Sequence, residues 1–189
     1  MSGMAGTSSI EGKGTELTTE IRHVRDDDAD AVHRILEAPH VVRGTMRLPF
    51  QSPDSVRERI RHVDGVIKLV AVRDGRVAGY GELVTYPQVP RHRHAGEVNF
   101  IGTHPDFRGH KVGRALMQAL IDMADNWLQL SRLGLIVWTD NKPAIALYQE
   151  FGFAVEGTMP QYVIIAGSYC DAHMMGRIRG EASPFPFHA

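Results

Sequence analysis

Apolar and polar positions alternate between Ile21 and Arg25, the period-two pattern of a strand with one buried face. Asp27 or Asp28 then starts a helix that carries Ala31, Val32, Ile35 and Leu36 on one side and ends near Pro39. Residues 40–52 follow no helical or strand period, yet Val41, Val42, Met46, Leu48 and Phe50 make this stretch apolar for a loop, as in loops that line a cleft. Ser52-Pro53-Asp54 opens a short helix with Val56, Ile60 and Val63 at helical spacing. Residues 66–72 and 76–84 read as strands joined by a tight turn at Asp74-Gly75, and residues 97–103 as another after a proline-bounded loop.

The strongest pattern lies further on. Val112, Ala115, Leu116, Ala119, Leu120, Met123, Ala124, Trp127 and Leu128 keep one face of a long amphipathic helix. Residues 133–139 are continuously apolar, which predicts a strand buried on both faces. Asp140 or Asn141 caps a short helix with Pro143 in its first turn and Gly152 at its C-terminal end. Two strands, near 153–156 and 171–178, complete the pattern. Strands of antiparallel type followed by alternating strands and helices imply a mixed α/β sheet.

Composition narrows the class. With 189 residues, 43% hydrophobic and 23% charged, the chain fits one globular domain. A net charge of -1 gives no basic footprint for nucleic acid, and no apolar run approaches the roughly 18–20 residues of a membrane span. Residues 1–20 are small and polar and read as a flexible tail; 21–179 form the domain; 180–189 form a second tail. The single cysteine, Cys170, fits a reducing cytoplasm and reads as a core or pocket residue. His92 and His94 stand beside Arg91 and Arg93, whose charges oppose a divalent ion, and no ligands sit at zinc spacing, so no metal is expected.

The chemistry concentrates in Arg108-Gly109-His110-Lys111-Val112-Gly113-Arg114-Ala115, which joins a strand to the strongest helix. Successive N–H groups of such a turn converge on one point, the helix N-terminus adds positive potential, and Arg108, Lys111 and Arg114 add formal charge: a diphosphate site. Gly109 and Gly113 permit close approach and left-handed backbone. The turn has neither the Gly-Lys-Ser/Thr ending of a phosphate-binding loop nor dinucleotide Gly-x-Gly-x-x-Gly spacing, and it follows the fourth strand instead of the first.

This turn resembles the Arg/Gln-x-x-Gly-x-Gly/Ala signature of the GNAT superfamily of acetyltransferases, with Arg108 and Gly113 matching its ends and Lys111 replacing its middle glycine. Residues 141–153 (Asn141, Ala144, Tyr148, Gly152, Phe153) look like the family's Asn-x-x-Ala-x-x-x-Tyr-x-x-x-Gly-Phe block. The segments around Asp125-Asn126-Trp127 and Gly167-x-Tyr169-x-Asp171 look, more closely, like YhhY-type amino-acid N-acetyltransferases. The resemblance implies a mostly antiparallel sheet of six or seven strands, splayed between strands 4 and 5 and flanked by about four helices. It implies acetyl-CoA as cofactor, held at the turn Arg108 to Ala115, by backbone around Ile101, Gly102 and Thr103, and by Asn141 and Ala144. Tyr148 would be the general acid. Glu97, or a water relay, would be the base. Arg43 and Arg47 lie where the family covers its acceptor, and one would pair with a substrate carboxylate. The implied partner is a small-molecule amine, an amino acid or analogue, in a protein that forms a homodimer. Other amines (an aminoglycoside, a polyamine, a protein N-terminus) and a non-catalytic acyl-CoA-binding module are the alternatives.

Overall fold

The computed structural model describes residues 19–180; residues 1–18 and 181–189, most of the two expected tails, lie outside the described residues. The elements are β1 (Glu20–His23), α1 (Ala29–Leu36), α2 (Pro39–Arg43), α3 (Pro53–Ile60), β2 (Val66–Arg73), β3 (Arg76–Thr85), β4 (Ala95–Thr103), α4 (Val112–Asp122), β5 (Arg132–Trp138), α5 (Lys142–Glu150), β6 (Ala154–Ile165) and β7 (Ser168–Ile178). They form one seven-stranded sheet in the order β1-β2-β3-β4-β5-β7-β6.

All neighbours are antiparallel except β4 and β5, which run parallel and pair only from Ala95–Arg132 to Glu97–Gly134. Beyond Glu97, β4 stays paired with β3 as far as Thr103, while β5 stays paired with β7. The sheet therefore opens between its two central strands, as the splay implied by the resemblance requires.

Each face of the sheet has its own core. On one, Leu69, Leu83, Val98, Leu133, Leu135 and Val137 are buried under Val112, Leu116 and Leu120 of α4. On the other, Val70, Tyr80 and Phe100 are buried under Val32, Ile35, Val56 and Ile60 of α1 and α3. The alternation along β2 and β3 assigns side chains to these two layers. At Gly79 an added Cβ would lie 2.6 Å from Val112 Cγ1 and 2.9 Å from Leu116 Cδ1. The first turn of α4 thus sits closer to β3 than any side chain there would allow, and this contact sets the height of the turn before α4.

Four details depart from the sequence pattern. Pro39 opens a helix instead of closing one: Ala38 has the extended ψ of 130° natural before proline, and Pro39 occupies the first helical position. Regular α4 stops at Asp122 and continues as a π turn over Met123–Trp127. That wider turn swings Trp127 and Leu128 off the buried face; they are 74% and 41% exposed. β5 is buried on one face only, with Ile136 on the other open to solvent. The last two strands are far longer than expected and turn at Ala166 and Gly167, both with positive φ. Because β6 is exposed along most of its length, no in-and-out alternation marks it.

Candidate active site

The turn before α4 is built by two left-handed residues, Gly109 (φ 79°) and Lys111 (φ 60°, ψ 16°). Phe107 is buried and anchors it, and the His110 N–H donates back to the Phe107 carbonyl at 3.3 Å. The first helical bond of α4 runs from Ala115 N–H to Lys111 O, at 3.0 Å. Ahead of it, the N–H groups of Gly109, Lys111, Val112, Gly113 and Arg114 donate to no other backbone group among the described residues. Such a row of amides at a helix start is the donor set an anion requires. The left-handed geometry of Lys111 gives a physical reason for a glycine at the corresponding place in the signature.

The two signature glycines differ in their reasons. Gly109 needs its positive φ, and a Cβ there would meet nothing within 4 Å. Gly113 has ordinary helical backbone, contrary to the expectation of unusual φ at both. A Cβ on it would make only normal contacts, 3.7 Å to Thr103 and 3.8 Å to Leu147. Neither strain nor internal packing requires glycine at 113. Val112 turns its side chain into the core, while Ala115 is half-buried. The formal charges are less concentrated than expected. Arg108 and Lys111 are exposed at the turn, but Arg114 is paired with Glu150 of α5 and lies over the Phe151 ring. His110 Nδ1 donates locally to the Arg108 carbonyl at 3.0 Å.

Ile101 and Thr103 lie on the stretch of β4 that has no β5 partner, so one backbone edge there faces the opening. Gly102 is fixed by packing: a Cβ would lie 2.7 Å from the Phe100 ring. The end of β4 is held by His40, whose Nε2 lies 3.0 Å from the Thr103 carbonyl; burial lowers its pKa. Opposite, α5 brings Leu147 near Gly113 and starts at Asn141, whose Oδ1 accepts from Ala144 N–H at 3.4 Å. Tyr148 on α5 is half-buried against Phe153, ring centroids 6.2 Å apart, and its hydroxyl has no hydrogen-bond partner among the described residues. Burial pushes its phenol up to about 12, so it is a protonated donor throughout the neutral range. The amide row, the open edge of β4 and this protonated phenol fit an acyl-CoA: anion donors at one end, a sheet edge along the middle, and an acid on the helix across the gap.

On the α1–α3 face the opening widens into a cleft of about 860 Å³. Glu97 lies in it, exposed, near the hydroxyl of Tyr86; burial, and then that hydrogen bond, raises the Tyr86 phenol. Arg43 and Arg47 separate. Arg43 points away, paired with Asp140 at 2.7 Å, while its carbonyl accepts from Trp138 Nε1. Arg47 lines the cleft, half-buried, its guanidinium 5.4 Å from the Phe100 ring centroid. Beside it lies Arg59 of α3, 5.5 Å from the same centroid and bonded to Glu82 at 2.6 Å. Sequence reasoning missed Arg59, Glu82, Asn99 and Tyr86. A signal existed for Glu82: it is the single acid within residues 77–84, an otherwise uncharged strand, and it is 3% exposed. Nothing in the periodicity of α3 separates Arg59 from its solvated neighbours. Among the described residues no group of three or more His, Cys, Asp or Glu could hold a metal.

A mixed sheet parted between two parallel strands, with an amide-lined turn at the mouth of the gap, is the architecture that the resemblance implies for an acyl-CoA-dependent N-acyltransferase. The Acetyltransferase (GNAT) family model matches residues 29–153, and the chain belongs to that family: it is an acetyl-CoA-dependent N-acetyltransferase. It is 36% identical to the L-amino acid N-acetyltransferase AaaT of Escherichia coli strain K12, over 84% of this chain and 97% of the relative. It is 28% identical to the spermidine N(1)-acetyltransferase of the same organism, over 84% of each. Among solved structures, yncA of Salmonella typhimurium, determined with its cofactor acetyl-CoA, superposes with a TM-score of 0.74 at 25% identity, covering 89% of this chain and 99% of that one.

Proposed function

We propose that this enzyme acetylates the primary amine of a small amino acid or close analogue. The observation that carries the reading is Arg47, half-buried on the wall of the 860 Å³ cleft and aimed at no acid of its own. A cationic wall of that kind suits an acceptor with a carboxylate, and the likeness to AaaT supports the same class.

Acetyl-CoA supplies an acyl group activated as a thioester; the amine attacks it, forming the C–N bond as the C–S bond breaks. The residues around the gap have distinct tasks. The free amides of Gly109 and of Lys111 to Arg114 would hold the diphosphate, and the β4 edge at Ile101 and Thr103 would align the extended arm. Asn141, already spent on capping α5, fixes the start of that helix and the position of Tyr148. Tyr148 keeps a proton on its phenol oxygen for the leaving sulfur. Glu97, in contact with Tyr86 and water, takes the proton that the acceptor ammonium loses.

A homodimer in the cytoplasm completes the proposal. The exposed Ile164 and Tyr169 on the terminal hairpin support the first, and the single cysteine supports the second. Light scattering checks the dimer. The catalytic reading is tested by thiol release from acetyl-CoA across a panel of amino acids and other amines: turnover with amino acids is expected, and none with any amino acid overturns it.

A further inference from the structure

We propose that Arg47 and Arg59, brought together over Phe100, form a carboxylate clamp that makes an anionic group on the acceptor a condition of efficient turnover. This deepens the amino-acid reading above and rests on it. Arg59, the second half of the clamp, comes from α3, the helix that directly follows the 44–51 segment carrying Arg47.

The charge inventory of the cleft carries the inference. Both guanidinium groups lie against one ring, 5.4 and 5.5 Å from its centroid. Lys68, buried behind them, is bound only to the carbonyls of Arg59 and Arg61. Among the described residues Glu82 is the one carboxylate shared by all three cations, with exposed Glu58 acting on Lys68 alone, and the oxygens of Glu82 are already engaged. Oε1 accepts from the Tyr80 hydroxyl at 2.6 Å; Oε2 accepts from Arg59 at 2.6 Å and from the Asn99 amide at 2.7 Å. Arg47 bonds only to the neutral Gln51 side chain, at 2.9 Å. The Nε atoms of Arg47 and Arg59 are both buried and unpartnered among the described residues.

Two like charges that share a half-buried wall with too little counter-charge are costly unless an anion joins them. The lowered pKa of Arg47, brought to about 10 by burial and then by Arg59, agrees with that strain. The third arginine of the cleft, Arg132, is already matched by Glu156 at 2.8 Å and adds no free charge. At the other end Glu97 is exposed on β4. The cleft is thus positive at one end and negative at the other, the complement of an acceptor bearing both carboxylate and ammonium. A polyamine would bring a second cation against the two arginines and be repelled.

The test compares L-phenylalanine, L-phenylalaninamide and spermidine as acceptors of the full-length enzyme, by thiol release. The wild type is expected to favour the acid over the amide at least tenfold in kcat/KM. Arg47→Gln is expected to cost tenfold to a hundredfold on the acid, mainly through KM, and to leave the amide and the KM for acetyl-CoA nearly unchanged. Arg59→Gln should do the same, but it also leaves Glu82 without its arginine; Arg47→Gln, which disturbs no ion pair, carries the test alone if that variant fails to fold. Equal turnover of acid and amide by the wild type overturns the clamp while leaving amino-acid acetylation standing, as does an acid preference that survives Arg47→Gln. Turnover of spermidine at the rate of the acid also overturns it. If neither this pair nor any other amino acid of the panel above is turned over, the amino-acid reading and the clamp fall together; where another amino acid is turned over instead, the same comparison of that acid with its amide decides the clamp.

Discussion

Glu82 is the residue whose loss should be most costly to the enzyme without touching the reacting atoms. It is 3% exposed and accepts three short hydrogen bonds, from Tyr80, Arg59 and Asn99. Glu82→Ala removes the one acid paired with Arg59 among the described residues, leaves Arg47 and Lys68 less compensated, and strands the fully buried Tyr80 hydroxyl. Breaking a buried ion pair from one side costs about 3–5 kcal/mol, and Arg59 is part-exposed, which favours the lower end. For a domain of this size about 3 kcal/mol corresponds to a fall of roughly 6–12 °C in melting temperature. Thermal melts followed by circular dichroism, with urea titrations as a second probe, measure it. The diagnostic partner is the double variant Glu82→Leu with Arg59→Met. Removing both ends of the pair leaves neither charge unmatched, so at least half of the lost stability should return. A single variant within 2 °C of wild type, or a double variant no more stable than the single, would refute this account of the cluster.

Other expectations follow from the gap and its rim. Gly79→Ala places a Cβ 2.6 Å from Val112, so α4 must shift and carry its amides with it; the KM for acetyl-CoA should rise several-fold more than the KM for the amine, and unchanged cofactor KM would count against the packing argument. Tyr148→Phe should lower kcat by about a hundredfold with cofactor affinity retained, the usual scale for losing a positioned acid; equal kcat would remove Tyr148 from the mechanism. The same phenol is raised to about 12 by burial, so the folded chain holds that proton more tightly than the unfolded chain does. Its contribution to stability is complete below about pH 10 and is lost as pH climbs toward 12. Ultraviolet titration should accordingly show no phenolate from Tyr148 at pH 10.5, when wild type is compared with Tyr148→Phe; a phenolate there would contradict the burial.

Local physics made much of this legible beforehand. Amphipathic α4, the Asp74-Gly75 hairpin and the glycine turn each declare themselves within a dozen residues, because their signals are period, turn chemistry and charge. Asn141 is readable as a helix cap from local signals, whereas Tyr148 stands out only through the resemblance to the family's Asn-x-x-Ala-x-x-x-Tyr block. What escaped was long-range. Arg59 meets Arg47 only because α3 and the 44–51 segment fold over Phe100, and no periodicity in either segment encodes that meeting. Arg43 and Arg47 look alike in sequence, yet one turns to Asp140 and the other into the cleft. The π turn after α4 is invisible in the sequence for another reason: its residues satisfy the helical pattern through Leu128, and only the backbone reveals the extra residue.

The parting of β4 from β5 has a consequence for solubility as well as for catalysis. Unpaired strand edges are sticky, and a protein that exposes them invites other chains to add a strand. Here the two unpaired edges face each other across a slot, with Gly113 of α4 meeting Leu147 of α5 at one mouth and the 44–51 segment over the other. Either edge can be paired only from inside that slot, so a second polypeptide cannot lie along it from outside as it would along the rim of an open sheet. The fold keeps backbone on offer while leaving one direction from which it can be claimed.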